Sequence, residues 1–559
     1  MKKWWMEAVG YQIYPKSFYD TNGDGIGDLN GITNKLEYLK KLGITLIWIG
    51  PFYDSPMDDN GYDVRDFFSV AKEFGTLDDF KKLVAKAKKL DIKIILDFVL
   101  NHTSDEHQWF IESKSSINNP KRDYYIWQKG KNVDGKKMPP TNWASFFGGS
   151  AWKYDQTTDM YYMKIFSDKM PDLNWANKKV REEMASVGKW WLNLGIDGFR
   201  IDAVSHLDRA PFEDSLLDTK TVLDWNKFSN LPRVHNYLKE MNNDLFKKYD
   251  ALTIGEVGGA ASIDSAIEYS AFESNELSMV FNFDHNWCNN LHDIDNYNDL
   301  KTNVKALKTV FTKWQTAFEK IGWIPLNWLN HDQPRLMSQY GDSDYFKESG
   351  KMLASVRYLM RGTPFIFQGE EIGMTNYPFK EYNEFRDVSS KNYYHSIEGI
   401  NEEERIFQVR KTSRDHPRTP MQWNTSKYAG FSTKEPWINV NPNYLEINVE
   451  KCLNDYDSIW YHYQRIIDLR SNPLYKDVIV YGTFEELDSR DNVYAYKREN
   501  ANKCMIVVSS FTKEKEEYNL KNYEIKEVIL SNYQDIKIQN NIIELRPYES
   551  VLVEVMKNE

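Results

Sequence analysis

Cysteine is nearly absent: Cys288, Cys452 and Cys504 are the only three in 559 residues, odd in number and far apart. That excludes a disulfide framework and a cysteine-built metal knuckle. No apolar run approaches membrane-spanning length. The opening residues, Met1-Lys2-Lys3-Trp4-Trp5-Met6-Glu7, hold no continuous apolar core of the kind that directs export. A cytoplasmic protein is expected, with no membrane partner. Positive charge is in deficit, 71 Lys and Arg against 82 Asp and Glu for a net −11, which argues against nucleic acid or an anionic membrane surface. There is no internal repeat, no low-complexity tract, no His-x-His pair on an early strand and no His-Glu-x-x-His helix. A metal-dependent hydrolase barrel is therefore disfavoured.

Aromatic residues are plentiful, at 15% of the chain with 35 Tyr and 18 Trp. Flat amphipathic rings suit both packed cores and surfaces that stack on ligands. The length exceeds what one core supports, so two or three domains are expected.

Short apolar runs alternate with helix-period stretches. Strands are expected at Val9–Tyr14, Thr45–Ile49, Ile92–Val99, Gly198–Ile201, Leu252–Gly255, Met279–Phe281, Ile324–Leu329 and Pro364–Phe367. Helical runs include Ile32–Leu42, Leu77–Leu90, Val180–Leu194, Leu231–Tyr249, Leu300–Lys320 and Lys347–Met360, and Gln464–Leu469 lies in a further, last helix. Eight strands alternating with helices predict an α/β fold, a (β/α)8 TIM barrel. Two excursions leave from C-terminal strand ends. Residues 101–174, rich in Trp, Gly and Pro, are too long for a loop and read as an inserted domain after strand 3. Residues 369–455 are similarly irregular after strand 8. From about Tyr481 the pattern changes to strands without helices (Val493–Lys497, Met505–Val508, Val528–Leu530, Ile542–Leu545, Val551–Val555), a C-terminal antiparallel β-sandwich. The expected divisions are thus 1–100 and 175–480 for the barrel, 101–174 for the insertion and 481–559 for the sandwich.

The chemistry gathers at strand ends. In Gly198-Phe199-Arg200-Ile201-Asp202, Arg200 and Asp202 are two apart and share one face of the strand. A guanidinium there orients the carboxylate and favours its ionised form. An oriented carboxylate at a barrel strand's C-terminal end suits a nucleophile, although such a pair also serves simply to close a strand. Asp97-Phe98-Val99-Leu100-Asn101-His102, Thr253-Ile254-Gly255-Glu256 and Leu329-Asn330-His331-Asp332-Gln333-Pro334 end three further strands with carboxylates and imidazoles. One such end is ordinary; four after apolar runs point to an active face.

These segments, DFVLNH, GFRIDAV, IGEV and NHDQ, resemble the four ordered signatures of the α-amylase family of glycoside hydrolases. The resemblance spans nearly the whole chain. It includes the inserted domain's closing segment Met170-Pro171-Asp172-Leu173-Asn174 and is closest to the intracellular α-glucosidase and oligo-1,6-glucosidase branch, through residues 20–28, Asp59-Asn60-Gly61-Tyr62-Asp63 and Arg418-Thr419-Pro420-Met421-Gln422-Trp423. It implies retaining hydrolysis of an α-glucosidic bond, with Asp202 as nucleophile, Glu256 as acid and base and Asp332 as the third carboxylate. It further implies that His102 and His331 donate to glucose hydroxyls, that Arg200 holds Asp202 ionised, that Tyr62 is a stacking platform, and that Asp59 and Arg414 clamp the far hydroxyls. A pocket closed in that way acts on chain ends. Phe147 and Phe166 are candidates for the leaving-sugar side and equally for core.

Relatives that favour α-1,6 bonds tend to carry Val after the nucleophile, and this chain has Ala203. A β-branched residue there would narrow the leaving-sugar side, so Ala203 leans toward α-1,4 substrates such as maltose and short maltooligosaccharides. Met170 and Asn424 depart from the Gln and Asp usual in the oligo-1,6-glucosidase branch. Oligo-1,6-glucosidase, trehalose-6-phosphate hydrolase and sucrose-acting hydrolase or isomerase are the alternatives. Some relatives serve as transporter-associated subunits, but those carry a membrane helix and lack parts of the catalytic set. A monomer or weak oligomer acting on small oligosaccharides is expected. Finally, Asp20, Asn22, Asp24, the Ile26 carbonyl and Asp28 place oxygens at every second residue, a spacing that converges on a hard cation. Relatives bind Ca2+, sometimes Mg2+, at this loop; a polar turn without an ion has the same sequence. Such a metal would be structural.

Overall fold

The computed structural model describes residues 2–258 and 262–557. Met1 and residues 558–559, the outer limits of the expected divisions, lie outside them. Eight parallel strands form one sheet: β1 (Gly10–Ile13), β2 (Leu46–Ile49), β3 (Lys93–Val99), β4 (Gly198–Asp202), β5 (Leu252–Glu256), β6 (Met279–Phe281), β7 (Pro325–Leu326) and β8 (Thr363–Phe367). Their order is β6-β5-β4-β3-β2-β1-β8-β7, and β6 and β7 stand side by side, so the sheet curls into a nearly closed barrel. Helices α1 (Leu29–Leu42), α2 (Leu77–Lys89), α3 (Lys178–Asn193), α4 (Arg233–Asp244), α5 (Ile263–Ser270), α6 (Val304–Phe318), α7 (Phe346–Tyr358) and α8 (Ile459–Ser471) surround it.

The strands are apolar on both faces because each face meets a different core. Leu46 and Trp48, Ile95, Leu252 and Ile254, Met279 and Phe281, and Phe365 pack together as one cluster filling the barrel. The residues between them, Ile47, Ile49, Ile94, Leu96, Phe98, Phe199 and Ile201, join helix residues such as Leu36, Leu39 and Leu83 in the outer layer. This period-2 sorting fixes the site. Asp97 continues the inward series of Ile95, Glu256 continues Leu252 and Ile254, and Arg200 pairs in register with Asp97 on one side and Ile254 on the other. Register requires one close approach. A Cβ on Gly198 (φ +151°) would sit 2.0 Å from the Leu252 carbonyl oxygen, so only glycine fits.

The seventh strand is shorter than expected, two residues instead of six. Pro325 has no N–H to offer, and Arg357, buried on α7, takes the carbonyls of Pro325 (3.4 Å) and Asn327 (3.2 Å) that a longer ladder would have used.

Between β3 and α3 the chain builds a three-stranded antiparallel sheet (Trp127–Gln128, Met160–Met163, Trp152–Asp155) around Trp143, Trp152 and Met163. Bridges from His102 to Asp172 and from Tyr125 to Leu173 tie its return to the barrel rim. After β8, residues expected to be irregular contain helices Val388–Ser396 and Glu402–Thr412. At the C-terminus a five-stranded and a three-stranded sheet enclose Val493, Ile506, Val508, Ile543 and Val553. Three of their strands, Thr483–Leu487, Glu516–Asn519 and Lys537–Gln539, lack clear apolar alternation and were not expected. This sandwich docks on the barrel through Tyr496 Oη to the Val356 carbonyl (3.0 Å) and Arg498 to the Leu359 carbonyl (2.8 Å).

Candidate active site

A large surface cleft, about 1160 Å3, runs between the barrel and the C-terminal sheets and contains no strand-end carboxylate. The carboxylates converge instead on a smaller cleft of about 310 Å3 at the C-terminal rim. Size does not pick the site; chemistry does.

At its floor a single buried guanidinium serves three carboxyls. Arg200 Nη1 donates to Asp202 Oδ1 at 2.8 Å and also to Asp97, while Nη2 donates to Glu256 Oε2. The Ala203 N–H reaches the same Glu256 oxygen at 3.4 Å. Two carboxyls bound to neighbouring nitrogens of one planar group are necessarily close together. Arg200 was expected to serve Asp202; the structure divides it. Burial and the charges of Glu256, Asp97 and Asp332 push the Asp202 carboxyl well up against the pull of Arg200, and burial carries Asp97 to about 6. With one cation divided among three carboxyls, Asp97 and Asp202 keep a proton further up the pH scale than free carboxylates would.

The opposite end is closed by a second cluster. Arg414 Nη2 meets Asp59 Oδ1 at 2.7 Å, Arg414 Nη1 lies 3.4 Å from Asp332 Oδ1, and Arg418 Nη2 donates to the same Asp332 oxygen at 2.7 Å. Asp387, fully buried, accepts from Arg414 Nε (3.0 Å) and Arg418 Nη1 (3.2 Å) through one oxygen. Its other oxygen accepts the Ser390 N–H (2.8 Å), capping helix Val388–Ser396. Burial opposes the charge on Asp332, but His331, Arg414 and Arg418 hold its carboxyl well below the usual range. Burial wins at Asp59, which rises to about 7 against Arg414 and Arg418.

Tyr62 stacks on His331, ring centres 5.4 Å apart and 10° from parallel. The Gln12 amide nitrogen donates to His331 Nδ1 (2.9 Å), which leaves the ring proton on Nε2, facing Tyr62 Oη (2.7 Å) and Asp332 Oδ2 (3.2 Å). Burial depresses both His102 and His331 to about 3, so both rings are neutral. His102 Nδ1 is met by the Asn101 amide at 3.2 Å, while its Nε2 has no protein partner.

Of the residues named from sequence, Asp59, Tyr62, His102, Phe147, Phe166, Asp202, Glu256, Asp332 and Arg414 all line this one cleft. Arg200 and His331 stand behind its wall. Phe147 and Phe166 meet edge to face at 5.5 Å, and Arg414 lies over the Phe147 ring at 5.0 Å. Sequence reading missed Asp387 altogether, gave no role to Asp97 or Arg418, and passed over Phe146, His206, Trp225, Phe283 and Trp287, which also line the cleft. Asp97 had a signal, a carboxylate inside an otherwise apolar strand. Asp387 had none, because an irregular excursion offers no periodicity to read.

The 20–28 loop contributes nothing to the cleft lining. Asp20 accepts from the Asn22, Gly23 and Gly25 N–H groups and the Ser432 hydroxyl, Asn22 from Asp24, and Asp24 from Ile26. Asp28 accepts from Thr21 and caps α1 through the Gly31 N–H (2.7 Å). The all-oxygen donor set suits a hard cation. Among the described residues, however, no three Asp, Glu, His or Cys side chains are gathered as a metal-holding group, and no helix is long and apolar enough to cross a membrane.

Comparison with known proteins fits this geometry. A family model described as the alpha amylase catalytic domain matches residues 12–482, and one described as the alpha-amylase SusG C-terminal domain matches 493–552. The oligo-1,6-glucosidase of Bacillus cereus is 44% identical, covering 99% of both chains. The glucan 1,6-alpha-glucosidase of Streptococcus pneumoniae is also 44% identical, over 99% of this chain and all of its own. The crystal structure of trehalose-6-phosphate hydrolase from Bacillus licheniformis superposes with a TM-score of 0.92 at 41% identity, covering both chains fully. Fold, strand-end chemistry and full-length likeness agree: the chain belongs to the alpha-amylase family of glycoside hydrolases, as a glucosidase of its α-glucosidase and oligo-1,6-glucosidase branch.

Proposed function

We propose that the protein is a retaining, exo-acting α-glucosidase that removes the terminal non-reducing glucose from short α-glucosides, with α-1,4-linked maltose and maltooligosaccharides favoured. The observation that carries this reading is the sharing of Arg200 by Asp202 and Glu256. Binding to neighbouring nitrogens of one guanidinium draws the two carboxyls together, which supports the close, water-excluding spacing that a retaining mechanism needs. In the first step an Asp202 oxygen attacks the anomeric carbon while Glu256 gives its proton to the departing glycosidic oxygen, leaving a glucosyl ester. In the second, Glu256 takes a proton from water, whose oxygen displaces Asp202 and restores the α configuration. Asp332, kept charged by two arginines, accepts from sugar hydroxyls and steadies positive charge at the anomeric centre. His102 Nε2, neutral and unpartnered, meets a hydroxyl beside it. The Asp59–Arg414 pair walls off the far side of that glucose, so chain ends fit and chain interiors do not.

Linkage rests on Ala203, which lines the cleft in a left-handed turn (φ +45°). A valine there would add both bulk and backbone strain. A preference for α-1,6 bonds is the second reading, favoured by the names of the relatives at 44% identity. Trehalose 6-phosphate is the weaker alternative. Arg414 is the one Lys or Arg among the described lining residues, and three carboxylates already engage it at the glucose end. Proton NMR of products from maltose, isomaltose, sucrose and trehalose 6-phosphate tests all of this. The α-anomer is expected first, with maltose cleaved fastest. A β-anomer would overturn the mechanism, and isomaltose cleaved much faster than maltose would overturn the linkage.

The pH profile is a second test. Asp59 and Asp97, at about 7 and about 6, work as anions opposite Arg414 and Arg200. A raised carboxyl loses its charge as pH falls through its own value, so kcat/KM should drop as pH falls through 7 to 6. A limb at the value of roughly 4 typical of free carboxylates would show that these groups ionise normally.

The 20–28 loop is proposed as a structural Ca2+ site, with Mg2+ as the alternative ion. Asp20, Asn22, Asp24, Asp28 and the Ile26 carbonyl would hold the cation, in a turn tied to residues 431–437 through Asp20 N–H to the Phe431 carbonyl and Trp437 N–H to the Gly25 carbonyl, both 3.0 Å. EDTA is expected to lower Tm and Ca2+ to restore it. Loss of activity in EDTA with Tm unchanged would contradict a structural role.

A further inference from the structure

We propose that Trp225 and Trp287 form a sugar-binding station beyond the leaving glucose, so that the enzyme selects α-glucooligosaccharides of three or more units over disaccharides. The inference deepens the α-glucosidase reading and rests on it.

Sheet order supplies the placement. Strand β5 ends in Glu256, with β4 on one side and β6 on the other. Trp225 lies on the connection that follows β4, Trp287 on the one that follows β6, and both line the cleft that holds Glu256. The two indoles therefore rise on either flank of the proton donor. That donor protonates the departing oxygen, so the leaving sugar exits on its side, away from the wall made by Asp59 and Arg414.

Exposure supplies the second argument. Among the described residues Trp225 (36% exposed) and Trp287 (67%) are the only tryptophans that give 36% or more of their surface to water. An indole left in water forgoes the burial that normally stabilises it, and paired exposure beside one cleft marks a contact surface rather than core. Both rings are also held. Trp225 packs at 4.6 Å against Phe146 and 6.2 Å from His206. Trp287 is backed by His292 at 5.1 Å, 22° from parallel, so its opposite face is the one presented. A braced aromatic face binds the apolar C–H side of a pyranose while the sugar's hydroxyls remain in water, at little conformational cost.

The test is the chain-length dependence of kcat/KM. Maltose, maltotriose and maltotetraose are measured beside isomaltose and isomaltotriose, with 4-nitrophenyl α-glucoside as a substrate too short to reach the station. The native enzyme is expected to favour the trisaccharide over the disaccharide of its preferred series by about fivefold or more. Trp225→Ala and Trp287→Ala should each lower that ratio severalfold. In the Asp202→Asn protein, indole fluorescence should respond to maltotriose more than to glucose. A flat native profile with the aryl glucoside hydrolysed would overturn this inference alone. A parallel fall for every substrate in both variants would assign the tryptophans to structure and overturn it too. If the native enzyme hydrolyses no α-glucoside, the reading beneath it fails as well.

Discussion

Replacing Asp202 by Asn is expected to lower kcat on 4-nitrophenyl α-glucoside by about 10^4-fold or more, the scale of loss when a covalent nucleophile is removed. The change is nearly isosteric, and Arg200 keeps Asp97 and Glu256 as partners, so the fold should survive and circular dichroism should match the native protein. Glu256→Gln separates the two carboxyls. Acid assistance matters most for a poor leaving group, so this variant should lose far more activity on maltose than on the nitrophenyl glucoside. With Glu256→Ala, added azide should speed turnover of the glucosyl ester and yield the α-glucosyl azide, because displacement of the ester inverts it once more. Equal losses on both substrates, or Asp202→Asn within tenfold of native, would remove the assignment.

The second large effect is expected from a residue that touches no substrate in the mechanism. Asp387 is wholly buried and balances both Arg414 and Arg418. Those two arginines hold its carboxyl below the ordinary range although burial pushes the other way. Removing one partner of a buried charge cluster costs about 3–5 kcal/mol, because the remaining charge stays desolvated, and loss of the helix cap at Ser390 adds about 1 kcal/mol. Asp387→Ala should therefore shift the urea midpoint strongly downward. It should also raise KM for every substrate, since Arg414 would no longer be held against Asp59 and Asp332. Asp387→Asn keeps the cap and one acceptor and should recover much of the stability, but less of the KM, because the neutral amide cannot balance two guanidiniums. Stability within about 1 kcal/mol of native for the alanine variant would mean that Asp59 and Asp332 alone suffice.

What could be read without coordinates was local. Apolar runs such as Thr45–Ile49 and Ile92–Val99, and the carboxylates carried at four strand ends (Asp97, Asp202, Glu256 and Asp332), announce themselves within a few residues. The barrel followed from their alternation, and the active face from the parity that turns Arg200, Asp202 and Glu256 inward together. What only the tertiary structure decided is how charge is shared. Arg200 is divided among three carboxyls on three strands, Asp387 arrives from a stretch without periodicity to bind two arginines, and Trp225 and Trp287 flank Glu256 because β4 and β6 flank β5. Backbone preference and hydrophobic period act between near neighbours and leave a trace in their order. Desolvation and Coulomb energy depend on distances between groups dozens to hundreds of residues apart, and those distances exist only after the chain has closed on itself.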